Sequence, residues 1–419
     1  MRVKLTSISL GLLALCAGSA ANSQDAASIF SFSGFGTIGY VTTNTNDATY
    51  TGGQKYGATT TGDFGPDTKL GAQINAKFNS TFSGTVQAFS KQDALGSYEP
   101  VLEWAFLKAS LGSGFSARVG RMGGPFFMTS DFRNVGYTNV SMRTPPDVYA
   151  AVPVRSFDGA DLLYQGSFGD VTVNGQLYVG KASVVPSQDV KLLLNDIVGF
   201  SATAEVGPIT FRAGHLQTNF ATEGNGLAGL NQIVGGLKQM GAVPGLGALG
   251  TLGDDIVIDG KKATFSGIGA TLEMGPWVGS AEITKRKTGS LYVADISSWY
   301  TTLGYRIDKF TPYVTLSSRT TDSISTVTAP STVGYPAVVQ GTVPVLIANV
   351  NGGILSNNNQ KTLALGTRWE AGKSYAVKGE WAQISVPAGS SGGFSNVKGG
   401  RFASDTNVNV ISVGLDFVF

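Results

Sequence analysis

The segment Val410-Ile411-Ser412-Val413-Gly414-Leu415-Asp416-Phe417-Val418-Phe419 decides the fold of this chain. Every second residue back from Phe419 is large and apolar, whereas the residues between them are mostly small or polar. Successive side chains of a β-strand point to opposite faces, so this alternation predicts a strand with one apolar face. We place that strand at 406–419.

The same two-residue period recurs along the chain from residue 30 onward. It predicts sixteen strands in all, at 31–42, 67–79, 82–92, 100–110, 115–122, 159–167, 171–181, 197–206, 209–217, 264–274, 277–287, 297–307, 310–320, 361–370, 374–384 and 406–419. An even number is typical of bacterial barrels built from one chain. An extra hairpin within 333–355 is the alternative, and it would make eighteen strands.

The two faces of the predicted strands differ in chemistry. The polar faces carry Gly, Ser and Thr with few charges, and the apolar faces end in aromatic residues. Only 14% of the 419 residues are charged, 57 are Gly, and mean hydropathy is +0.09. A soluble all-β fold remains the alternative, but its water-facing side normally carries more charge. We therefore predict a transmembrane antiparallel β-barrel, with lipid outside, water inside and every backbone group paired by closure.

Connections between the predicted strands alternate between short and long. Short turns are predicted at 111–114, 169–170, 207–208, 275–276, 308–309 and 371–373. Long loops are predicted at 43–66, 123–158, 182–196, 218–263, 321–360 and 385–405. Short periplasmic turns and long external loops are typical of membrane barrels. Both chain termini are then expected on the periplasmic side.

Residues 1–23 are predicted to be a secretory signal peptide, and 24–419 the barrel. Arg2 and Lys4 precede a short apolar run, and small residues follow it. A lipoprotein signal is less favoured, because Leu15 stands before Cys16 where a small residue is needed. Cleavage removes the only Cys and leaves 28 basic and 28 acidic residues. Thiol chemistry is thereby excluded, and zero net charge argues against a nucleic-acid partner.

Several segments resemble the general trimeric porins of Gram-negative outer membranes. They are Ser33-Gly34-Phe35-Gly36, Lys69-Leu70-Gly71, Glu103-Trp104-Ala105-Phe106-Leu107, Val119-Gly120-Arg121 and the final residue Phe419. Their order and spacing fit the sixteen-strand layout over the whole mature chain. The chain is therefore similar to that family, and we expect it to share the family's properties.

The resemblance implies a homotrimer that passes ions and small hydrophilic solutes by passive diffusion. It implies contact with the lipid bilayer and with lipopolysaccharide, and recognition of Phe419 by the barrel-assembly machinery as an assembly signal. The third external loop of such porins folds into the lumen and narrows it. No enzymatic activity, cofactor or metal is expected. A substrate-specific channel and a plugged structural or adhesive barrel are the alternative functions.

The loop at 123–158 matches the family's constriction loop. Its aromatic residues predict packing against the barrel wall. The predicted constriction combines loop residues with two residues of the facing wall: Asp131, Arg133, Asp147, Arg155, Lys69 and Arg118. Arg121, at the junction of strand and loop, is predicted to anchor the loop. Acids and arginines are mixed in this loop, so its composition predicts neither cation nor anion preference.

Two other features bear on function. The only His, His215, has the parity of the lipid-facing residues, which predicts a position in the interface girdle. A membrane-embedded hydrolase built on it is a third hypothesis, which needs a Ser or acidic partner on a neighbouring strand. Apolar residues in loop 218–263 recur at helical spacing. A short helix is one interpretation, and a Gly-rich apolar loop on the barrel rim is slightly preferred.

Overall fold

The computed structural model describes residues 29–187, 189–322 and 325–419. The predicted signal peptide at 1–23 lies outside the described residues. In the described part, sixteen strands close into one antiparallel barrel, with each strand paired to its neighbours in the chain and the first paired to the last.

The barrel strands follow the predicted order, and most of their ends lie within a few residues of the predicted ones. They are β1 (Phe30–Thr43), β3 (Lys69–Lys77), β4 (Phe82–Lys91), β5 (Val101–Gly112), β6 (Phe115–Gly123), β7 (Ser156–Phe168), β8 (Val171–Ser187), β9 (Val190–Val206), β10 (Ile209–Glu223), β11 (Lys261–Met274), β12 (Trp277–Thr288), β13 (Ile296–Tyr305), β14 (Phe310–Thr321), β15 (Gln360–Trp369), β16 (Tyr375–Val386) and β18 (Thr406–Val418). Two short strands, β2 (Thr49–Tyr50) and β17 (Phe394–Ser395), pair with each other outside the barrel sheet. The prediction of sixteen strands is confirmed.

The barrel closes between β1 and β18. Phe35 lies opposite Val418, and the pairing runs on without a break to Thr43 and Val410. The backbone of Phe419 continues it by exchanging hydrogen bonds of 2.8 and 3.0 Å with Gly34. The ring of Phe419 lies where a Cβ on Gly34 would stand. The absence of a side chain at Gly34 therefore leaves room for the Phe419 ring where the barrel closes.

The outer face of the barrel is apolar, as the alternation predicts. In β18, Ile411 and Val413 are exposed on the outside, whereas Ser412 and Asp416 are buried on the inside. At the end with the short turns, the outer face carries aromatic pairs such as Phe115–Tyr164, Trp277–Tyr305 and Phe310–Trp369. Aromatic side chains in such a ring are typical of a lipid–water interface.

The prediction of a long loop at 182–196 is wrong. β8 continues to Ser187 and β9 begins at Val190, so the two strands extend well beyond the expected end of the barrel wall. Ala182 and Leu194 face inward here and are buried in an apolar cluster. Because the inner face is also apolar, the two-residue period disappears from the sequence although the strands continue.

The eighteen-strand alternative is also wrong, because its extra hairpin is a helix. We number the helices α1 (Pro146–Tyr149), α2 (Ala228–Gly241), α3 (Gly247–Ile256) and α4 (Ala337–Ile354). Val339, Val343 and Ile347 of α4 recur every four residues and are buried, a helical rather than a strand period. By length and composition alone α4 is apolar enough to cross a membrane.

Helices also replace the Gly-rich loop that was slightly preferred for 218–263. Leu237 and Met240 of α2 pack with Leu249 and Ile256 of α3 and with α4 in one apolar cluster at the long-loop end. The helical spacing noted in the sequence is thus real. Gly has a low helix propensity, but in this segment tertiary packing outweighs it.

Candidate pore constriction

The loop between β6 and β7, residues 124–155, lies inside the barrel and is fastened to the far wall. Arg368 donates hydrogen bonds to the carbonyls of Tyr137 and Asn139. The ammonium of Lys378 donates to the carbonyls of Gly136 and Ser141 at 2.7 and 3.0 Å. An irregular loop has many carbonyls without backbone partners, and these inward basic side chains satisfy them.

The start of the loop is held in the same way on another part of the wall. Arg212 of β10 donates to the carbonyl of Pro125. The carboxylate of Glu282, on β12, accepts a hydrogen bond from the backbone N–H of Met128 at 2.9 Å. These inward charges, which the sequence analysis did not assign to the site, therefore position the loop. The sequence indicated these residues only through their positions in the alternation of each strand, which place their side chains on the inner face.

An apolar cluster fills the space between the loop and β6 to β13. The Phe127 ring stacks on Tyr149 with ring centroids 4.5 Å apart and meets Phe265 of β11 edge-on at 5.1 Å. Phe157 and Tyr178 continue the cluster along the inner wall. The loop aromatics thus pack as the sequence suggested, and this side of the lumen holds side chains instead of water.

Asp147, a predicted constriction residue, is held against the barrel wall. It lies in α1 and is fully buried. Its Oδ2 atom accepts hydrogen bonds from Ser317 of β14 at 2.7 Å and from Thr362 of β15 at 3.0 Å. The structure therefore makes Asp147 a tether between the loop and the wall.

A cavity of about 850 Å³ lies on the other side of the loop. Strands β3, β4 and β5 form one side of it, and β14, β15 and β16 form the other. Tyr50 and Phe394, from the mouth loops, pack against each other at its edge. Four of the predicted constriction residues line this cavity together: Lys69, Arg133, Arg155 and the tethered Asp147.

Three of the six acids that line the cavity are engaged in ion pairs. Arg155 Nε lies 2.9 Å from Glu103 Oε1. Arg143, a loop residue not assigned to the site from sequence, binds Asp67 through two hydrogen bonds of 2.8 and 2.6 Å and reaches Glu380 at 3.2 Å. These pairs join the loop to β5, to the segment before β3 and to β16.

Arg133 has no ion pair within the described residues. Its guanidinium lies 5.8 Å from the centre of the Phe127 ring. Burial and the neighbouring Arg155 lower the pKa of Arg133 to about 10, and Glu103 opposes the shift. The group is still a cation at neutral pH, held in an environment with more positive than negative charge.

Arg118 and Asp131 belong to a different part of the lumen from this cavity. Arg118 is paired with Asp161 of β7 through an N–O distance of 2.5 Å and lies over the Phe106 ring. Asp131 is exposed on the loop, near Arg118 and Arg212. Enclosure within the barrel raises the pKa of Asp131, and both arginines oppose the shift. The predicted constriction is thus divided into two groups.

Arg121 and His215 both lie at outward positions in the alternation of their strands. Arg121 binds Asp158 through hydrogen bonds of 2.7 and 2.8 Å, so it joins the two strands that bracket the loop, and it also lies at the edge of the cavity. His215 Nδ1 lies 2.8 Å from Ser266 Oγ on β11. No carboxylate hydrogen-bonds to His215 in the part of the chain that the structure describes. The pair lacks the third group that orients a catalytic base.

No protein-family model and no curated protein sequence matches this chain. Solved structures do match it over nearly the full length. OmpF of Salmonella typhi, solved in complex with daunomycin, is 13% identical with a TM-score of 0.54, covering 93% of this chain and 97% of that one. The anion-selective porin of Comamonas acidovorans is 12% identical with a TM-score of 0.52, covering 93% and 99%. The outer-membrane channel DcaP of Acinetobacter baumannii is 11% identical with a TM-score of 0.50, covering 95% and 100%. The chain therefore shares the sixteen-stranded barrel fold of porins.

Proposed function

We propose that this protein is an outer-membrane porin of a Gram-negative bacterium, exported by its signal peptide. It forms a water-filled channel for passive diffusion of ions and small hydrophilic solutes. The observation that carries the proposal is the loop 124–155, folded inside a closed barrel and leaving a charged cavity beside it. The fold shared with porins and channels supports the same function.

The chemistry of the two barrel faces supports a lumen that holds water. The outer face bears exposed Leu, Val, Ile and aromatic side chains, which suit lipid. The cavity is lined by Lys69 and Lys91 of the inner face and by Arg133 of the loop, whose charges need water or counter-ions close by. Ionisable groups inside a membrane protein mark a path for polar solutes more often than a sealed core.

A plugged structural or adhesive barrel is the competing function, and the apolar cluster inside the wall is its supporting observation. In such a barrel the loop would close the cavity beside Lys69 at one end, so that no continuous path crosses the barrel. The two functions differ in one measurable property, which is ion conductance.

The experiment is single-channel recording of the purified protein in planar bilayers. A porin gives ohmic steps, and a trimer gives them in groups of three. Native electrophoresis before and after heating reports the trimer independently. A barrel that inserts into the bilayer, as shown by protease protection, but carries no current would contradict the porin proposal.

A further inference from the structure

Two lysines face each other in the barrel wall. Lys69 of β3 lies directly opposite Lys91 of β4 in the strand register, and both side chains point into the lumen. Like charges at directly opposed positions of neighbouring strands destabilise a sheet. A fold retains such a pair without cost only where an opposite charge balances it.

The acids closest to these lysines are already engaged. Asp67 is bound by Arg143, and Glu103 is bound by Arg155. Asp416 lies 2.9 Å from Lys378 and accepts a further hydrogen bond from Thr37. Lys69 and Lys91 have no ion pair or side-chain hydrogen bond within the described residues.

The loop adds a third cation to the same cavity wall. Arg133 also lacks an ion pair among the described residues, and it is close enough to Lys69 and Lys91 to influence both electrostatically. Among the lining acids without an ion pair, Asp147 is tethered to the wall, Asp93 caps a turn through two backbone N–H groups, and Glu99 is exposed at the mouth. Hydrogen bonds from neutral groups leave the negative charges of these acids in place, but the cavity lining has eight basic and six acidic side chains, so its net charge is positive. The lining cations without an ion pair among the described residues are Lys69, Lys91 and Arg133, which lie near one another, and Arg319 on the facing wall.

We infer that the cavity selects small anions, and that Lys69, Lys91 and Arg133 are the selecting residues. This inference rests on the proposed channel function. The three cations stabilise an anion as it passes the loop and repel a cation of the same size. The preference is electrostatic, so it weakens as salt shortens the Debye length from about 10 Å at 0.1 M to about 3 Å at 1 M.

The test is the reversal potential of the intact protein in planar bilayers across a potassium chloride gradient. Wild-type protein is expected to pass chloride in preference to potassium, more strongly at 0.1 M than at 1 M salt. Lys91→Gln and Arg133→Gln are each expected to lower the permeability ratio about fourfold. That change corresponds to removal of a unit charge about 10 Å from the ion path in a medium as polar as water, which lowers chloride permeability and raises potassium permeability about twofold each.

Lys77→Gln is the matched control. Lys77 lies on β3 with the same inward parity as Lys69, but at the opposite end of the strand, outside the cavity. It is expected to leave the permeability ratio unchanged. A Lys69→Gln/Lys91→Gln double variant is also measured, because after a single substitution the remaining lysine could still maintain the chloride preference.

The outcomes separate this inference from the channel proposal. An ohmic channel that prefers potassium, or whose chloride preference survives the double variant and Arg133→Gln, would overturn the anion assignment and leave the channel intact. An equal loss in the Lys77→Gln control would also overturn it, since the cavity would then have no special role. Absence of any conductance would contradict the channel itself.

Discussion

Lys69 and Lys91 occupy directly opposed positions on β3 and β4, with their side chains on the same inner face. An opposed like-charge pair costs stability, typically about 0.2–1 kcal/mol relative to a neutral pair. We therefore expect Lys91→Gln to raise the thermal stability of the barrel while it reduces chloride transport. Heat-induced unfolding of the detergent-solubilised protein measures the first effect. Lys77→Gln should not change it, because Lys77 lies opposite Ser83. A lower unfolding temperature for Lys91→Gln would show that an undetected interaction holds this lysine.

Glu103 controls how much positive charge the cavity presents. Its carboxylate accepts hydrogen bonds from Arg155 at 2.9 Å and from Asn134 at 3.2 Å. Glu103→Gln removes the negative charge and leaves the positive charge of Arg155 without a partner. We expect the chloride-to-potassium permeability ratio to rise several-fold. Glu273→Gln is the control, because Glu273 is exposed and its partner Arg306 lies near the short-turn end. An unchanged ratio in Glu103→Gln would place the ion path away from β5.

Asp147 ties the loop to the wall through Ser317 and Thr362. Hydrogen bonds to a charged group contribute about 1.5–3 kcal/mol each, so Asp147→Ala should release this part of the loop. The barrel should still form, because its strands pair without Asp147. We expect noisier single-channel currents with frequent partial closures. Asp254→Ala, in the exposed helix α3, should leave the current trace quiet. A quiet trace in Asp147→Ala would show that the basic side chains alone hold the loop.

Phe127 is the centre of the apolar cluster under the loop. Its ring is buried between Tyr149 and Phe265. Truncation of a buried Phe to Ala costs about 3–5 kcal/mol, and it leaves a cavity on the side of the lumen that is now filled. We expect Phe127→Ala to lower the unfolding temperature and to increase single-channel conductance. Phe132→Ala is the control in the same loop, since Phe132 is 41% exposed. Equal effects of the two substitutions would mean that the loop acts only through its overall volume.

Acidic pH should increase the preference for anions. The pKa of Asp131 is raised above its ordinary value of 3.8 by enclosure in the barrel, with Arg118 and Arg212 opposing and Asp161 adding to the shift. As the pH falls, Asp131 therefore takes up its proton earlier than an ordinary aspartate, and one negative charge leaves the loop. Reversal potentials between pH 7 and about pH 4 measure the change. Asp131→Asn should show the higher preference at all pH values and a flatter profile. Identical profiles for the two proteins would exclude Asp131 from the ion path.

The strand architecture was predictable from the sequence because each strand has its own local alternation of apolar and polar residues. The alternation at 406–419 and at fifteen other places reflects contact with lipid on one side and with a polar interior on the other, and both are properties of single residues. Prediction failed at 182–196, where Ala182 and Leu194 face an apolar loop instead of water. The alternative of an extra hairpin at 333–355 is wrong as well, because this Val-rich segment forms α4, one face of which two other helices cover.

The candidate site was predictable only as a collection of residues. Lys69, Arg133, Arg155 and Asp147 line one cavity, in which Asp147 is a buried tether, whereas Arg118 lies elsewhere in the lumen. The inward parity of Lys91 can be read from the alternation of its strand, but nothing in its local sequence shows that it lies opposite Lys69. That relationship depends on the register between two strands.

By itself, then, the sequence determined the barrel, its sixteen strands and the face to which each side chain points, since these follow from the two-residue period and from the need to pair every backbone group in lipid. Only the tertiary structure decided which charges remain free. Arg143 is bound to Asp67 and Glu380, which lie 76 and 237 residues away in the chain. Charges neutralise each other according to distance in space, and the fold of one loop against the wall sets those distances. A loop of mixed acids and arginines thereby leaves Lys69, Lys91 and Arg133 unpaired in the cavity.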